Sequence, residues 1–133
     1  MSIDAILANM DHVWLEIEDD LDNAAGRAKQ RALRQLLQCI RDEGYPLLLL
    51  SNLSAEHLNS AIGSALGENG LTYFSAILSS ELVDRYAVAL YTLQTAPDRV
   101  IAVGSTELEL QEARSFGIAR CVHLDDALSG FPL

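Results

Sequence analysis

Basic residues are scarce in this chain of 133 residues, where nine Lys and Arg stand against nineteen Asp and Glu and the formal net charge is −10. Proteins that bind nucleic acid place clustered cations against the phosphates, so this balance argues against a general nucleic-acid-binding protein. One basic cluster is present. It is formed by Arg27, Lys29, Arg31 and Arg34, and it is typical of the solvated face of a helix.

Long hydrophobic runs and cysteines are also lacking. No apolar stretch approaches the roughly 20 residues that a membrane-spanning helix needs. The segment MSIDAILANM at the amino end has neither the basic region nor the cleavage site of a signal peptide. Cys39 and Cys121 are too few and too far apart for a disulfide-stapled domain or a CxxC site. We therefore expect a cytoplasmic protein with no membrane partner.

Apolar residues are abundant, since half of the chain is hydrophobic, and they fall into five short runs that are each followed by a polar junction and a helical pattern. The predicted strands are residues 13–17, 46–50, 74–78, 100–103 and 120–124. This rhythm predicts a single α/β domain over residues 1–133, with three α/β/α layers, a Rossmann-like arrangement and a mostly parallel five-stranded sheet. Residues 1–10 are left as an amino-terminal arm or docking helix.

The predicted helices have readable ends. They cover residues 24–43 before Gly44, a helix after the capping residue Ser54, and residues 86–96, 106–116 and 125–128. Thr106 and Glu109 have the spacing of a capping box at the start of the fourth of these. Glycine after a helix and Ser or Thr before it are the usual boundary residues.

Polar junctions follow the first four predicted strands, and ligands of open parallel sheets bind at such carboxyl ends. The junctions are residues 16–23, 51–54, 79–85 and 104–109. The first holds the acidic run EIEDDLD, residues 16–22, whose composition is that of a metal site. The same run equally fits the start of the next helix, because the positive end of a helix favours anions.

The four junctions, in this order, resemble the haloacid dehalogenase (HAD) superfamily of magnesium-dependent phosphatases and related hydrolases. Residues 103–118, VGSTELELQEARSFGI, are similar without a gap to its last motif, VGDSxxDxxxARxAGI. Leu50-Ser51-Asn52 resembles the second motif, and residues 79–91 resemble the third. Residues 13–21, VWLEIEDDL, stand in the place of the first motif, which is an apolar run followed by DxDGTL.

The resemblance implies catalytic roles for four positions. Glu16 and Glu18 would stand where the family has its nucleophilic aspartate and its acid/base aspartate, each one methylene longer. Such a change displaces a carboxylate by about 1.5 Å, enough to cost much of the rate. Ser51 and Arg85 would complete the catalytic set, with Arg85 in the place of a lysine.

Phosphate and metal ligands are implied in the same way. Ser51, Asn52 and Arg85 would bind the phosphate, with the hydroxyl and amides at a helix start. Glu16, Glu18 and Glu109 would hold magnesium if activity is retained. Ser105 replaces one carboxylate of the family's metal site, which weakens it because magnesium requires several hard oxygen ligands.

The short spacing between the motifs predicts a capless HAD-like domain. The substitutions predict that this domain has lost efficient phosphatase activity, needs no cofactor and acts by binding a protein partner or a second copy. One alternative is a divergent magnesium-dependent HAD-type phosphohydrolase. Another is a receiver-like signalling domain, which also has paired acids after its first strand. A receiver needs an Asp after its third strand and a Lys after its fifth, and this chain has neither.

Overall fold

The computed structural model describes residues 3–20, 23–79 and 85–129 as a parallel sheet with helices on both faces. The strands are β1 Ala5–Asn9, β2 Leu47–Leu50, β3 Ala76–Leu78, β4 Val100–Gly104 and β5 Cys121–His123. The helices are α1 Asp11–Asp20, α2 Ala24–Asp42, α3 Ala55–Leu66, α4 Arg85–Leu93, α5 Glu107–Ser115 and α6 Leu124–Ser129. Short 3-10 turns span Gly70–Tyr73 and Pro97–Arg99.

The sheet has the order β3-β2-β1-β4-β5, and all its described pairings are parallel. Strand β1 lies at the centre, where Asn9 pairs with Leu50 on one side and with Gly104 on the other. The carboxyl ends of β1, β2 and β4 therefore meet at one edge. The predicted α/β class with a five-stranded, Rossmann-like sheet is confirmed.

The prediction for the first strand is wrong. Residues 13–17 lie in α1, and the first strand is β1, in the segment predicted to be an arm or docking helix. Val13, Trp14 and Ile17 are buried while Leu15 is exposed, and this spacing is helical rather than alternating. A short apolar run fits either element by periodicity alone, and pairing with β2 and β4 selects residues 5–9.

Two apolar layers enclose the sheet. Side chains alternate along β1, so that Ile6 and Ala8 face one layer while Ala5 and Leu7 face the other. The first layer is built from α1, α2, α3 and α6, and the second from α4 and α5. The four leucines of β2 are all buried, as an apolar run without alternation predicts for a strand covered on both faces.

The remaining predicted elements are confirmed within a few residues. Asn23 caps α2 by accepting from the backbone N–H of Gly26, and Ser54 caps α3 by accepting from that of His57. Such caps satisfy backbone donors that have no partner inside the helix. Among the described residues, no helix is both long and apolar enough to cross a bilayer.

Candidate functional site

The carboxyl edge of the sheet carries three buried polar side chains: Asn9 at the end of β1, Ser51 after β2 and Ser105 after β4. Asn9 is 1% exposed, and its Oδ1 has no hydrogen-bond partner within the described part of the chain. A buried acceptor without a donor is uncommon and costs free energy. Ser51 is fully buried, so its hydroxyl must find its partner inside the protein.

That partner is Asp11, the first residue of α1. The Ser51 hydroxyl donates to Asp11 Oδ1 at 2.6 Å, and the backbone N–H of Asn52 donates to Asp11 Oδ2 at 2.8 Å. The backbone N–H of Leu53 donates to Ser51 Oγ at 2.9 Å. The carboxylate thus takes one donor on each oxygen, and both contacts are charge-assisted hydrogen bonds of ordinary length.

Arg85, at the start of α4, reaches the same loop. Its guanidinium donates to Asn52 Oδ1. The structure therefore brings together Ser51, Asn52 and Arg85, the three residues predicted to bind phosphate, although the Asn52 amide lies between Arg85 and the Asp11 carboxylate. Residues 80–84, part of the predicted third motif, lie outside the described residues.

Glu109 is engaged within its own helix start. Its Oε1 accepts from the backbone N–H of Ser105 at 2.8 Å, from the Ser105 hydroxyl at 2.6 Å and from the backbone N–H of Thr106 at 2.9 Å. Thr106 Oγ1 accepts from the backbone N–H of Glu109 in return. The predicted capping box is confirmed, and one Glu109 oxygen carries three donors.

Glu16 lies away from this edge, on α1. It is five residues after Asp11, which corresponds to about 7.5 Å along a helix. Its Oε2 is 3.0 Å from Lys29 Nζ and 3.5 Å from His12 Nε2. Glu16 and Lys29 line a depression of about 140 Å³ between α1 and α2. The predicted place of Glu16 after the first strand is therefore wrong, because that segment is helical.

Glu18 is also within α1, and its side chain lies outside the described residues, as do those of Asp19 and Asp20. Sequence reasoning missed Asn9 and Asp11. The available signal was the apolar segment AILA followed by Asn9 and, two residues later, Asp11. The first motif of the family that the sequence resembles, DxDGTL, has its two aspartates two residues apart after an apolar run, so a strand that ends at Asn9 would align Asn9 and Asp11 with them.

Tyr86 packs beneath the site from α4. Its ring stacks on Phe116 with centroids 5.5 Å apart, and the residue is 2% exposed. Burial raises the pKa of the phenol well above its usual range, and the nearby Glu112 and Glu109 carboxylates raise it further. The phenol therefore stays neutral, and its ring belongs to the second apolar layer.

The donor set does not fit the magnesium ion that the family resemblance implies. Magnesium requires hard oxygen ligands with free lone pairs in octahedral geometry. At this edge Asn9 and Ser105 are uncharged, and the Ser105 hydroxyl donates to Glu109. Asp11 and Glu109 keep lone pairs, but they are held by the β2–α3 loop and by the start of α5. No group of three or more His, Cys, Asp or Glu side chains in the described ranges is arranged to hold a metal ion.

Comparison with known proteins gives a sequence relative among the dehalogenases. The chain is 30% identical over 98 residues to (S)-2-haloacid dehalogenase 2 of Pseudomonas sp. strain CBS-3. The alignment covers 68% of this chain and 42% of the dehalogenase, so the chain spans less than half of that relative's length. No protein-family model matches the chain.

Solved structures of three proteins have the same fold. A putative β-phosphoglucomutase of Thermotoga maritima has a TM-score of 0.63 at 13% identity, covering 92% of this chain and 91% of its own. The core domain of a putative phosphoglycolate phosphatase of Streptococcus pneumoniae TIGR4 has a TM-score of 0.62 at 18% identity, and the match covers 93% of this chain and 81% of that domain. A predicted phosphoglycolate phosphatase of Haemophilus somnus 129PT has a TM-score of 0.56 at 16% identity, and the match covers 68% of this chain and 40% of the phosphatase.

Proposed function

The chain belongs to the haloacid dehalogenase-like superfamily, and from that premise we propose that it is a member without efficient nucleophilic turnover, which acts by binding a protein partner or a second copy of itself. The observation that carries this proposal is the amide of Asn9 at the end of the central strand. Covalent catalysis of this type uses a carboxylate nucleophile. An uncharged amide oxygen is a far weaker nucleophile.

The two nearby carboxylates support the same proposal. Asp11 holds the β2–α3 loop through Ser51 and Asn52, and Glu109 holds the start of α5. A general base must be within hydrogen-bond reach of the proton that it removes. Each carboxylate keeps lone pairs beyond these contacts, but moving it towards a substrate would break the hydrogen bonds by which it holds its loop.

Binding of a large partner is favoured by the open carboxyl edge of the sheet. Between β2 and β3 the described chain forms α3 and the 3-10 turn Gly70–Tyr73, whose buried residues belong to the molecule's own layers. In the described ranges, no accessory domain covers the carboxyl edge. An open edge suits a protein surface better than a small substrate, which is usually enclosed by its pocket.

Turnover of 4-nitrophenyl phosphate with magnesium tests the catalytic half of the proposal. Wild type and Asn9→Ala are expected to release 4-nitrophenol at the same rate, at the background of the buffer. Asn23→Ala serves as the matched control, since it removes the same amide from the α2 cap. Turnover by wild type that Asn9→Ala or Asp11→Asn abolishes would overturn the proposal.

Light scattering over a range of protein concentrations tests the binding half. We expect a mass above that of one chain, or a complex with a cellular protein that survives gel filtration and is then identified. A protein that stays strictly monomeric and yields no such complex would contradict this half.

A divergent magnesium-dependent phosphohydrolase is the second candidate, and the likeness to phosphatases fits it equally well. The observation that favours it is the grouping of Asp11, Ser51, Asn52 and Arg85 on one edge. In that case Asp11 is the carboxylate nearest to the phosphate donors, in place of Glu16. The same 4-nitrophenyl phosphate assay separates the two candidates.

A further inference from the structure

Helix α2 is basic in a strongly acidic chain. It carries five of the nine basic residues but one of the nineteen acidic ones, so its charge is +4 while the remaining residues together carry −14. We propose that the arginine face of α2, formed by Arg27, Arg31, Arg34 and Arg41, is a docking surface for an acidic, amphipathic segment of a partner protein. This inference rests on the binding half of the proposed function, because it names a surface and a class of partner for it.

The four arginines lie on one side of the helix. They are separated by four, three and seven residues, spacings that place side chains above one another, and all four are exposed. From Arg27 to Arg41 the arginine face is about 21 Å long. Like charges at these spacings repel, and Arg27, in the first turn, also opposes the helix dipole. The arrangement therefore weakens α2 on its own, and a bound anionic group would relieve the repulsion.

The guanidinium groups of this face are available to a partner. Within the described part of the chain, Arg27, Arg31 and Arg34 form no ion pair, whereas Lys29 of the same helix pairs with Glu16 of α1 at 3.0 Å. A guanidinium offers five N–H donors in a planar fork, which binds a carboxylate through two parallel hydrogen bonds. The arginine face can therefore bind several carboxylates of one acidic segment.

An apolar depression adjoins the arginine face. It has a volume of about 310 Å³ and is lined by Arg31, Arg34, Gln35, Gln38 and Tyr73. The stems of long polar side chains are methylene groups, so the depression suits an apolar side chain of a partner. The Arg41 guanidinium lies over the Tyr73 ring, 4.1 Å from its centroid, and this cation–π contact holds the ring in place as a wall.

The Tyr73 ring is shared with a second depression. This one has a volume of about 350 Å³, and its lining includes Arg41, Tyr45 and Phe74. Aromatic residues and arginine are enriched at protein interfaces relative to the rest of a protein surface. The two depressions therefore give room for more than one apolar side chain of the same segment.

Charge favours a short acidic protein segment over other occupants. A nucleic acid or an anionic membrane extends beyond the length of α2 and meets the residues that together carry −14, which repel it. Two copies of the chain each carry −10 and repel one another in the same way. A phosphate backbone also has no group for the apolar depressions. A segment with carboxylates around an apolar side chain matches both features.

Fluorescence anisotropy with a labelled peptide of Glu-Glu-Leu repeats tests this proposal. Wild type is expected to bind the peptide, and to bind a peptide of Glu-Glu-Ser repeats more weakly. Arg31→Glu and Arg34→Glu are each expected to weaken binding, and together at least ten-fold. Arg114→Glu is the matched control, because it makes the same charge change at an exposed residue of α5, on the other face of the sheet, and it should keep the wild-type affinity.

Several results would overturn the proposal: no binding by wild type, an unchanged affinity of the double variant, or an equal loss in Arg114→Glu. Tighter binding of oligothymidine than of the Glu-Glu-Leu peptide would overturn it too, since the occupant would then be a nucleic acid. If circular dichroism shows that the glutamate variants do not fold, Arg31→Gln with Arg34→Gln is expected to give a loss in the same direction. The titration requires neither turnover nor a cellular complex, so its failure is distinct from a failure of the phosphatase assay or of the light-scattering experiment.

Discussion

At the scale of single residues, Asp4 anchors the amino end of the central strand. Its Oδ2 accepts from Arg99 Nε at 2.7 Å and from Thr95 Oγ1 at 2.8 Å, and its Oδ1 accepts from an Arg99 terminal nitrogen at 3.0 Å. The hydrogen bonds from Arg99 and Thr95 lower the pKa of the Asp4 carboxyl from 3.8 to about 2. This cluster lines a shallow groove of about 690 Å³ that also includes Tyr91.

The lowered pKa of Asp4 predicts a pH-dependent contribution to stability. A carboxyl whose pKa is lower in the folded state stabilises the fold above its unfolded pKa, and this contribution is lost as the pH falls through the folded pKa. We expect Asp4→Asn to lower the urea midpoint at neutral pH, and the difference from wild type to vanish between pH 3.8 and about 2. Urea unfolding at several pH values measures it.

The control for this prediction is Asp98→Asn, which removes an exposed charge beside the same arginine. Its difference from wild type should be small at every pH. A deficit of Asp4→Asn that stays constant down to pH 2 would show that the ion pair is not its origin. Because Asp4 is exposed, salt should reduce the effect.

At the scale of elements, the start of α5 depends on its capping box. Thr106 and Glu109 exchange hydrogen bonds, and Glu109 also binds the neighbouring Ser105. Thr106→Ala is expected to lower the free energy of unfolding by about 1 kcal/mol, the usual loss for such a cap. Chemical denaturation monitored by circular dichroism measures it.

Thr92 on α4 provides the comparison for the α5 prediction, since it is exposed and lies inside a helix. Thr92→Ala should be neutral or slightly stabilising because alanine has the higher helix propensity. Equal losses for the two alanine variants would mean that the box contributes nothing beyond side-chain packing.

At the scale of the whole molecule, the fold is organised around β1. Leu7 is fully buried between β2 and β4, whereas Leu108 on α5 is 77% exposed. We expect Leu7→Ala to cost about 2 to 5 kcal/mol of unfolding free energy, and Leu108→Ala to stay within about 0.5 kcal/mol. Urea unfolding of both variants measures the difference. Similar small losses for both would support the amino-terminal arm that the sequence predicted.

Much of the architecture could be predicted from local pattern. The leucine run of β2, the end of α2 before Gly44, and the Thr106 box each carry their information within a few residues. The first strand could not be predicted, since AILAN and VWLEI are both short apolar segments and only pairing with β2 and β4 distinguishes them. Placing the strand wrongly moved the candidate carboxylates from Asp11 to Glu16 and Glu18.

The central contact of the site joins two residues that are far apart in the sequence. Asp11 and Ser51 are 40 residues apart in sequence, and no local rule links them. Ser51 and Asn52, predicted as phosphate ligands from the second motif, donate to the Asp11 carboxylate, and phosphate binding by them stays a prediction. The group that accepts these hydrogen bonds, the Asp11 carboxylate, can be identified only when α1 and β2 are placed side by side.

Trp14 gives this protein an optical reporter. It is the single tryptophan, it is fully buried, and its ring meets Phe74 edge-on at 6.5 Å. Indole emission moves to longer wavelength when water reaches the ring. Trp14 lies one helical turn after Asp11, so the wavelength of its emission reports how α1 packs against the rest of the core. The same emission therefore distinguishes a variant in which α1 has loosened from one that has only lost a charge.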